Sequence, residues 1–353
     1  MPPEWSASRA WLRNWVLTSA LAATVGGLVA ELLGRVFLFG VNSLWPPVME
    51  SIQPFGTSRL YAPADDRDLL WQLRPSLDAV RDAKVHVSTN TAGLRDREYT
   101  QTKPPDTFRV AVIGDSLTMG VGVEIEDVYH SVLETRLNVA AGRPAYEFIN
   151  FGVAGYQLPQ YVATIEKRAL AYDPDLILVG LSSNDYFWLD DAGEILKSRP
   201  WHVIPTTHPF FEIHLVRQWR LLWRSMFGDW TITEVELAPR FRAHVDKELA
   251  EMGTIRKRTG KPICLAYLNY YSSGARDIIA GFRGAAARND LAFVDVSAAF
   301  PPVPDERYAI YRADGHPNAP ANAAFADVLL GYLLGSRLVP PPQPRQGGVI
   351  RSR

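Results

Sequence analysis

The alternation that begins after Pro105 constrains this chain more than any other feature. Short apolar runs of strand length there take turns with longer amphipathic segments. The runs are FRVAVIG (108–114), YEFINFG (146–152), DLILVGL (175–181), PICLAYL (262–268) and LAFVDV (291–296). Helical patterns fall over about 126–140, 158–171, 238–259, 275–288 and 318–335. A strand that is apolar on both faces needs cover on both sides, and parallel neighbours need a crossover of helix length. The pattern predicts an α/β fold, a three-layer α/β/α sandwich with a mostly parallel sheet of about five strands. Ligands in such sheets bind outside the carboxyl ends of the strands, so the residues that follow each run deserve inspection first.

After the first run comes Gly114-Asp115-Ser116-Leu117. A serine between a strand and a helix exposes its hydroxyl beside backbone N–H groups, which suits a nucleophile and one oxyanion donor. After the second comes Asn150-Phe151-Gly152-Val153-Ala154-Gly155, where a glycine brings its N–H close to a ligand. Ser182-Ser183-Asn184-Asp185 follows the third, with an amide side chain able to donate another bond. Asp314-Gly315-His316-Pro317 precedes the last helix, a histidine placed to act as base with a carboxylate close in sequence. Each fragment alone has a plain reading as a turn, a helix cap or a glycine hinge. Four in this order, each at a strand end of one sheet, are harder to explain that way.

In these blocks the chain resembles the SGNH, or GDSL, hydrolase superfamily over roughly residues 105–336. The resemblance implies the family's flavodoxin-like fold and acyl transfer from an ester through a serine acyl-enzyme. By likeness, Ser116 matches the nucleophile and also an oxyanion donor through its N–H. Gly155 matches the backbone donor, Asn184 the side-chain donor and His316 the general base. The family's last block is Asp-x-x-His, whereas here Ala313 stands three residues before His316 and the nearby carboxylate is Asp314, two before. Asp314 as the orienting acid and a Ser–His dyad held by a backbone carbonyl both remain open. No cofactor is expected.

Val16 to Ala30 carries no charge and follows Arg9 and Arg13, the layout of a signal sequence or a single anchor helix. Continued to Phe39, such a helix has to accommodate only Glu31 and Arg35, and Arg35 is near enough to the end to snorkel. Trp5, Trp11, Trp15 and Trp45 suit the two water–lipid interfaces. Leu28 occupies the −3 position of the plausible cleavage point after Ala30, where a small residue is wanted. The expectation is therefore an uncleaved anchor, with a cleaved signal and a buried core helix as alternatives. Arg9 and Arg13 place the N-terminus in the cytoplasm and everything after Asn42 outside. With the family resemblance this implies a single-pass protein of a bacterial inner membrane, its hydrolase domain facing the periplasm or exterior.

The 353 residues divide into an anchor segment (1–45), a proline-rich connector (46–107), the hydrolase domain (108–336) and a Pro/Gly-rich tail (337–353) expected to be disordered. VHVST (85–89) reads as a strand within the connector, and Arg95 reads either as packing that connector on the sheet or as pairing with a substrate carboxylate. An insertion over about 186–237 carries Trp188, Trp201, Trp219, Trp223 and Trp230. Its helical stripe of Leu215, Trp219, Leu222, Trp223 and Met226 reads as a packed helix, a lid over an acyl pocket or an interfacial helix. His202, His208 and His214 lack metal-ligand spacing, and the glycines 114, 120 and 122 make no phosphate-binding loop. Lys+Arg at 37 against Asp+Glu at 38 gives a net charge of −1, which disfavours nucleic acid as a partner. The lone Cys264 excludes an internal disulfide and reads as a buried strand residue.

The expected substrate is an O-acyl ester, such as an O-acetyl group on a cell-envelope glycan or lipid. Two other functions remain open: an O-acyltransferase acting on an exported polysaccharide, and a non-catalytic membrane-anchored binding subunit that keeps the fold.

Overall fold

The computed structural model describes residues 4–39, 60–66, 68–69, 71–82, 85–183, 185, 234–272, 275–311 and 314–343. In chain order the principal elements begin with helix α1 (Glu4–Phe39) and the short strands β1 (Tyr61–Pro63), β2 (Trp71–Leu73), β3 (Val80–Asp82) and β4 (Val85–Val87). Next come β5 (Phe108–Ile113), α2 (Ser116–Met119), α3 (Tyr129–Ala141), β6 (Tyr146–Asn150), α4 (Leu158–Lys167) and β7 (Leu176–Leu181). The chain continues through α5 (Glu234–Thr259), β8 (Ile263–Tyr267), α6 (Arg276–Arg288), β9 (Ala292–Asp295), β10 (Ala309–Tyr311), β11 (Asp314–Pro317) and α7 (Ala319–Gly335). The tryptophan-rich insertion up to residue 233, its three histidines and Asn184 lie outside the described residues.

Five strands form one parallel sheet in the order β6-β5-β7-β8-β9. Alternate side chains explain why these strands read as unbroken apolar runs. Val110 and Val112 of β5 enter a core with Leu133 and Leu137 of α3 and Phe325 and Leu329 of α7. Ala111 and Ile113 enter the opposite core, with Ile165 of α4, Leu249 of α5 and Phe282 of α6. Cys264 is fully buried in β8, as expected of a strand residue.

Two features depart from the sequence expectation. The helix expected over 158–171 is α-helical only to Lys167 and continues as a 3-10 turn over Ala169–Tyr172. The segment before α7, for which no strand was expected, contains the antiparallel pair β10–β11, too short to announce itself by periodicity. The proline-rich residues after 60 make two antiparallel pairs, β1–β2 and β3–β4, and their Leu60, Tyr61, Trp71, Leu73, Val87 and Leu94 join the same core as α4, α5 and α6.

The strand order positions the site. From β5 the chain moves to one side to make β6 and then crosses back to the other side for β7, β8 and β9. The loops leaving β5 and β7 thus diverge, opening a crevice at their carboxyl ends. The turn after β5 sits directly on the neighbouring strand ends. A Cβ at Gly152, just past β6, would stand 2.5 Å from the Met119 nitrogen and 2.8 Å from the Thr118 carbonyl carbon. Both neighbours are backbone and cannot step aside. Gly152→Ala should therefore cost about 1–3 kcal/mol of stability through overpacking, which a fall in the thermal unfolding midpoint will register.

Candidate active site

Ser116 opens α2, a helix of four residues whose placement is set by its caps. The Asp115 side chain accepts from the Leu117 N–H at 2.9 Å, and Gly120 closes the turn in the left-handed region at φ 83°. Ser116 is 9% exposed. Two hundred residues later in the chain, His316 in β11 places its Nε2 2.8 Å from the Ser116 Oγ. The structure thus brings together the serine and histidine that the sequence analysis singled out.

Asp115 also ties the two sides of the crevice. Its Oδ2 accepts from the Ser182 hydroxyl at 3.1 Å, and the Ser182 N–H donates to Asp185 Oδ2 at 2.7 Å. The end of β5 and the loop after β7, which carries Asn184, are therefore joined through one serine between two buried carboxyls. Burial raises the pKa of both aspartates; at Asp185 the nearby charge of Asp115 raises it further, whereas at Asp115 the Leu117 N–H and the charge of His316 oppose the rise. Two such carboxyls in one dry space hold a single negative charge more cheaply than two.

Beneath α2, His130 is fully buried, and its Nε2 faces the Thr118 carbonyl at 3.2 Å. A carbonyl can only accept, so the proton resides on Nε2, and the Ser131 hydroxyl 3.3 Å from Nδ1 acts as donor. Desolvation depresses this ring to a pKa of about 3.

The loop after β6 runs alongside the turn that carries Ser116, with the Val153 N–H donating to the Gly114 carbonyl at 3.1 Å. Asn150 braces it: its Oδ1 accepts from the Gly152 N–H at 2.9 Å, and its Nδ2 donates to the Arg95 carbonyl at 3.2 Å. Gly155 adopts φ 80°, which favours glycine. Asp314 is the first residue of β11 and pairs with Tyr311; its side chain and Asn184 lie outside the described residues.

Arg95 does not reach toward a substrate. Its guanidinium is buried and donates to the carbonyls of Met119 (3.0 Å), Gly120 and Val123 (2.6 Å), where α2 ends. Of the two readings that the sequence leaves open for Arg95, packing and substrate pairing, these contacts fit the packing. Nothing in the sequence marks Asp185 beyond its place next to Asn184. Trp71 is unmarked because its partners lie more than eighty residues away. Among the described residues, no group of three or more His, Cys, Asp or Glu side chains is placed to hold a metal ion.

A parallel α/β sheet with a serine–histidine contact at its reversal point defines the hydrolase class of doubly wound folds. The chain belongs to the GDSL-like lipase/acylhydrolase family, whose model matches residues 112–324, more than half of its length. Among solved structures it is similar to LAE5, an α/β hydrolase from the metagenome of Lake Arreo, Spain, at 18% identity over 64% of this chain and 94% of that one, with a TM-score of 0.41. TesA is similar at 17% identity over 65% of this chain and 99% of that one, with a TM-score of 0.43. An acetylxylan esterase from Geobacillus stearothermophilus, solved as a catalytic mutant, matches at 16% over 63% and 92%, with a TM-score of 0.40. A search of curated proteins found no match to the sequence.

The buried imidazole gives a pH prediction. The unfolded chain protonates His130 near pH 6.5 and the folded chain only near 3. Its contribution to stability is thus fully present above about 6.5 and drains as pH falls, by up to about 1.4 kcal/mol per pH unit. His130→Gln, which cannot ionise, should lose less thermal stability than the wild type between pH 6.5 and 4, as measured by unfolding midpoints across that range.

Proposed function

We propose that the protein is a membrane-anchored serine esterase that cleaves an O-acyl ester through an acyl-enzyme on Ser116. The observation that carries this reading is the 2.8 Å contact between His316 Nε2 and Ser116 Oγ. His316 takes the Ser116 proton as the oxygen attacks the ester carbonyl, and returns it to the departing alcohol. The tetrahedral oxyanion is held by the N–H groups of Ser116 and Gly155 and by the Asn184 amide. Water, deprotonated by His316, then releases the acid. Asp314, two residues before His316, is the proposed partner that orients the imidazole.

The anchor supports a substrate at the cell envelope. Residues Trp11–Gly34 form a stretch of 24 residues within α1 that is long and apolar enough to cross a membrane. Leu17, Leu21, Leu28 and Leu33 on it are exposed. The charge pattern before it favours a single-pass protein of a bacterial inner membrane whose hydrolase domain faces the periplasm. An O-acetyl group on an envelope glycan or lipid fits that location.

With p-nitrophenyl acetate as probe, Ser116→Ala and His316→Ala should abolish turnover, while Asn184→Ala lowers kcat roughly 10²–10³-fold. Turnover that survives Ser116→Ala rejects the esterase. Incubation with an acylated donor and a glycan acceptor, followed by product analysis, separates release of free acid from transfer to the glycan. In detergent phase separation the full chain should enter the detergent phase and a chain beginning at residue 46 should stay in the aqueous phase; recovery of both in the aqueous phase rejects the anchor.

A further inference from the structure

The connector supplies a part of the site that the nucleophile, base and donor residues do not account for. We infer that Trp71 is a positioning residue that locks the Ala154–Gly155 peptide with its N–H aimed at the oxyanion. This rests on the proposed esterase function, in which the Gly155 N–H is an oxyanion donor.

The N–H of Gly155 and the C=O of Ala154 belong to one planar peptide, so fixing one fixes the other. Trp71 Nε1 donates to the Ala154 carbonyl at 3.1 Å. On the far side of Gly155, the Tyr156 hydroxyl donates to the Trp71 carbonyl, and the two rings meet edge to face with centroids 5.6 Å apart. One residue of β2 therefore holds the chain on both sides of Gly155. Trp71, Ala154 and Tyr156 are all buried, so water does not compete for these bonds.

The turn itself shows why a lock is needed. The Tyr156 N–H donates to the Val153 carbonyl at 3.1 Å, which closes a β-turn with Ala154 and Gly155 at its centre. With φ 80° at its third residue, the turn is of type II. Types I and II differ chiefly by a flip of the central peptide, which reverses the direction of its N–H. Glycine permits type II, but it permits other conformations nearly as well. The indole bond to the Ala154 carbonyl exists in only one of the two orientations. It also draws electron density toward that carbonyl, making the Gly155 N–H a better donor.

The test uses the full-length protein in detergent, with p-nitrophenyl acetate as substrate and an alkyl boronic acid as tetrahedral mimic. Trp71→Phe removes the ring N–H but also some packing. The decisive variant therefore carries 3-benzothienylalanine at position 71, a ring of nearly the same shape with sulfur in place of N–H. We expect kcat to fall about 10-fold to 100-fold, less than the ~10²–10³-fold loss of a whole donor. KM should stay within about twofold and boronate affinity should fall in parallel with kcat, a split that loss of folded protein does not produce. A kcat within about twofold of wild type overturns the inference, as does a loss of kcat that leaves boronate affinity unchanged. Turnover that persists in Ser116→Ala overturns the esterase reading and this inference with it. Ser116-dependent turnover with an unaffected Trp71 variant overturns the Trp71 assignment alone.

Discussion

The turn Gly114–Gly120 is anchored where the sheet reverses its direction of growth, and the rest of the site depends on that seat. Asp115 caps the four-residue helix, the close approach of Gly152 lets it settle on the strand ends, and Arg95 gathers the carbonyls where it finishes. A helix this short has no stability of its own. It persists because its polar groups are matched by buried partners on several other segments. Removing one partner leaves a desolvated group unpaired, which costs more than an average hydrogen bond contributes.

That seat also explains the company of buried ionisable groups. Asp115, Asp185, Arg95 and His130 are all buried within or against the Ser116 turn and the loop after β7. The carboxyls resist ionisation and the imidazole resists protonation chiefly through the poor solvation of charge away from water. The Arg95 guanidinium donates to three backbone carbonyls that stand in for water.

The connector proves to be part of this scaffold. Trp71 and Tyr156 bind each other's segments, Asp96 accepts from the Asn150 N–H at 2.9 Å, and the Arg95 carbonyl accepts from the Asn150 amide. The loops after β5 and β6 are thus both braced from residues 71–96. Residues that precede the five-stranded sheet in the chain also shape the loops beside Ser116.

Periodicity made the parallel sheet legible, because Val110, Val112, Leu176 and Leu178 face one core while Ala111, Ile113, Ile177 and Val179 face the other, and such strands must be apolar throughout. The meeting of Ser116 and His316 was legible in the order of the blocks, although His316 sits in β11 of a separate two-stranded sheet and not at an end of the five-stranded one. The β10–β11 pair was not, since three or four residues carry too little pattern. Nor were the tasks of Trp71 and Asp185, because a hydrogen bond from an indole to a carbonyl 83 positions away leaves no trace in spacing. By itself the sequence determined which layers form and which residue types reach the crevice, as both follow from local periodicity and chain order. Only the tertiary structure decided which backbone groups those residues face and which donors hold them there, because contacts between distant segments are set by how the layers pack.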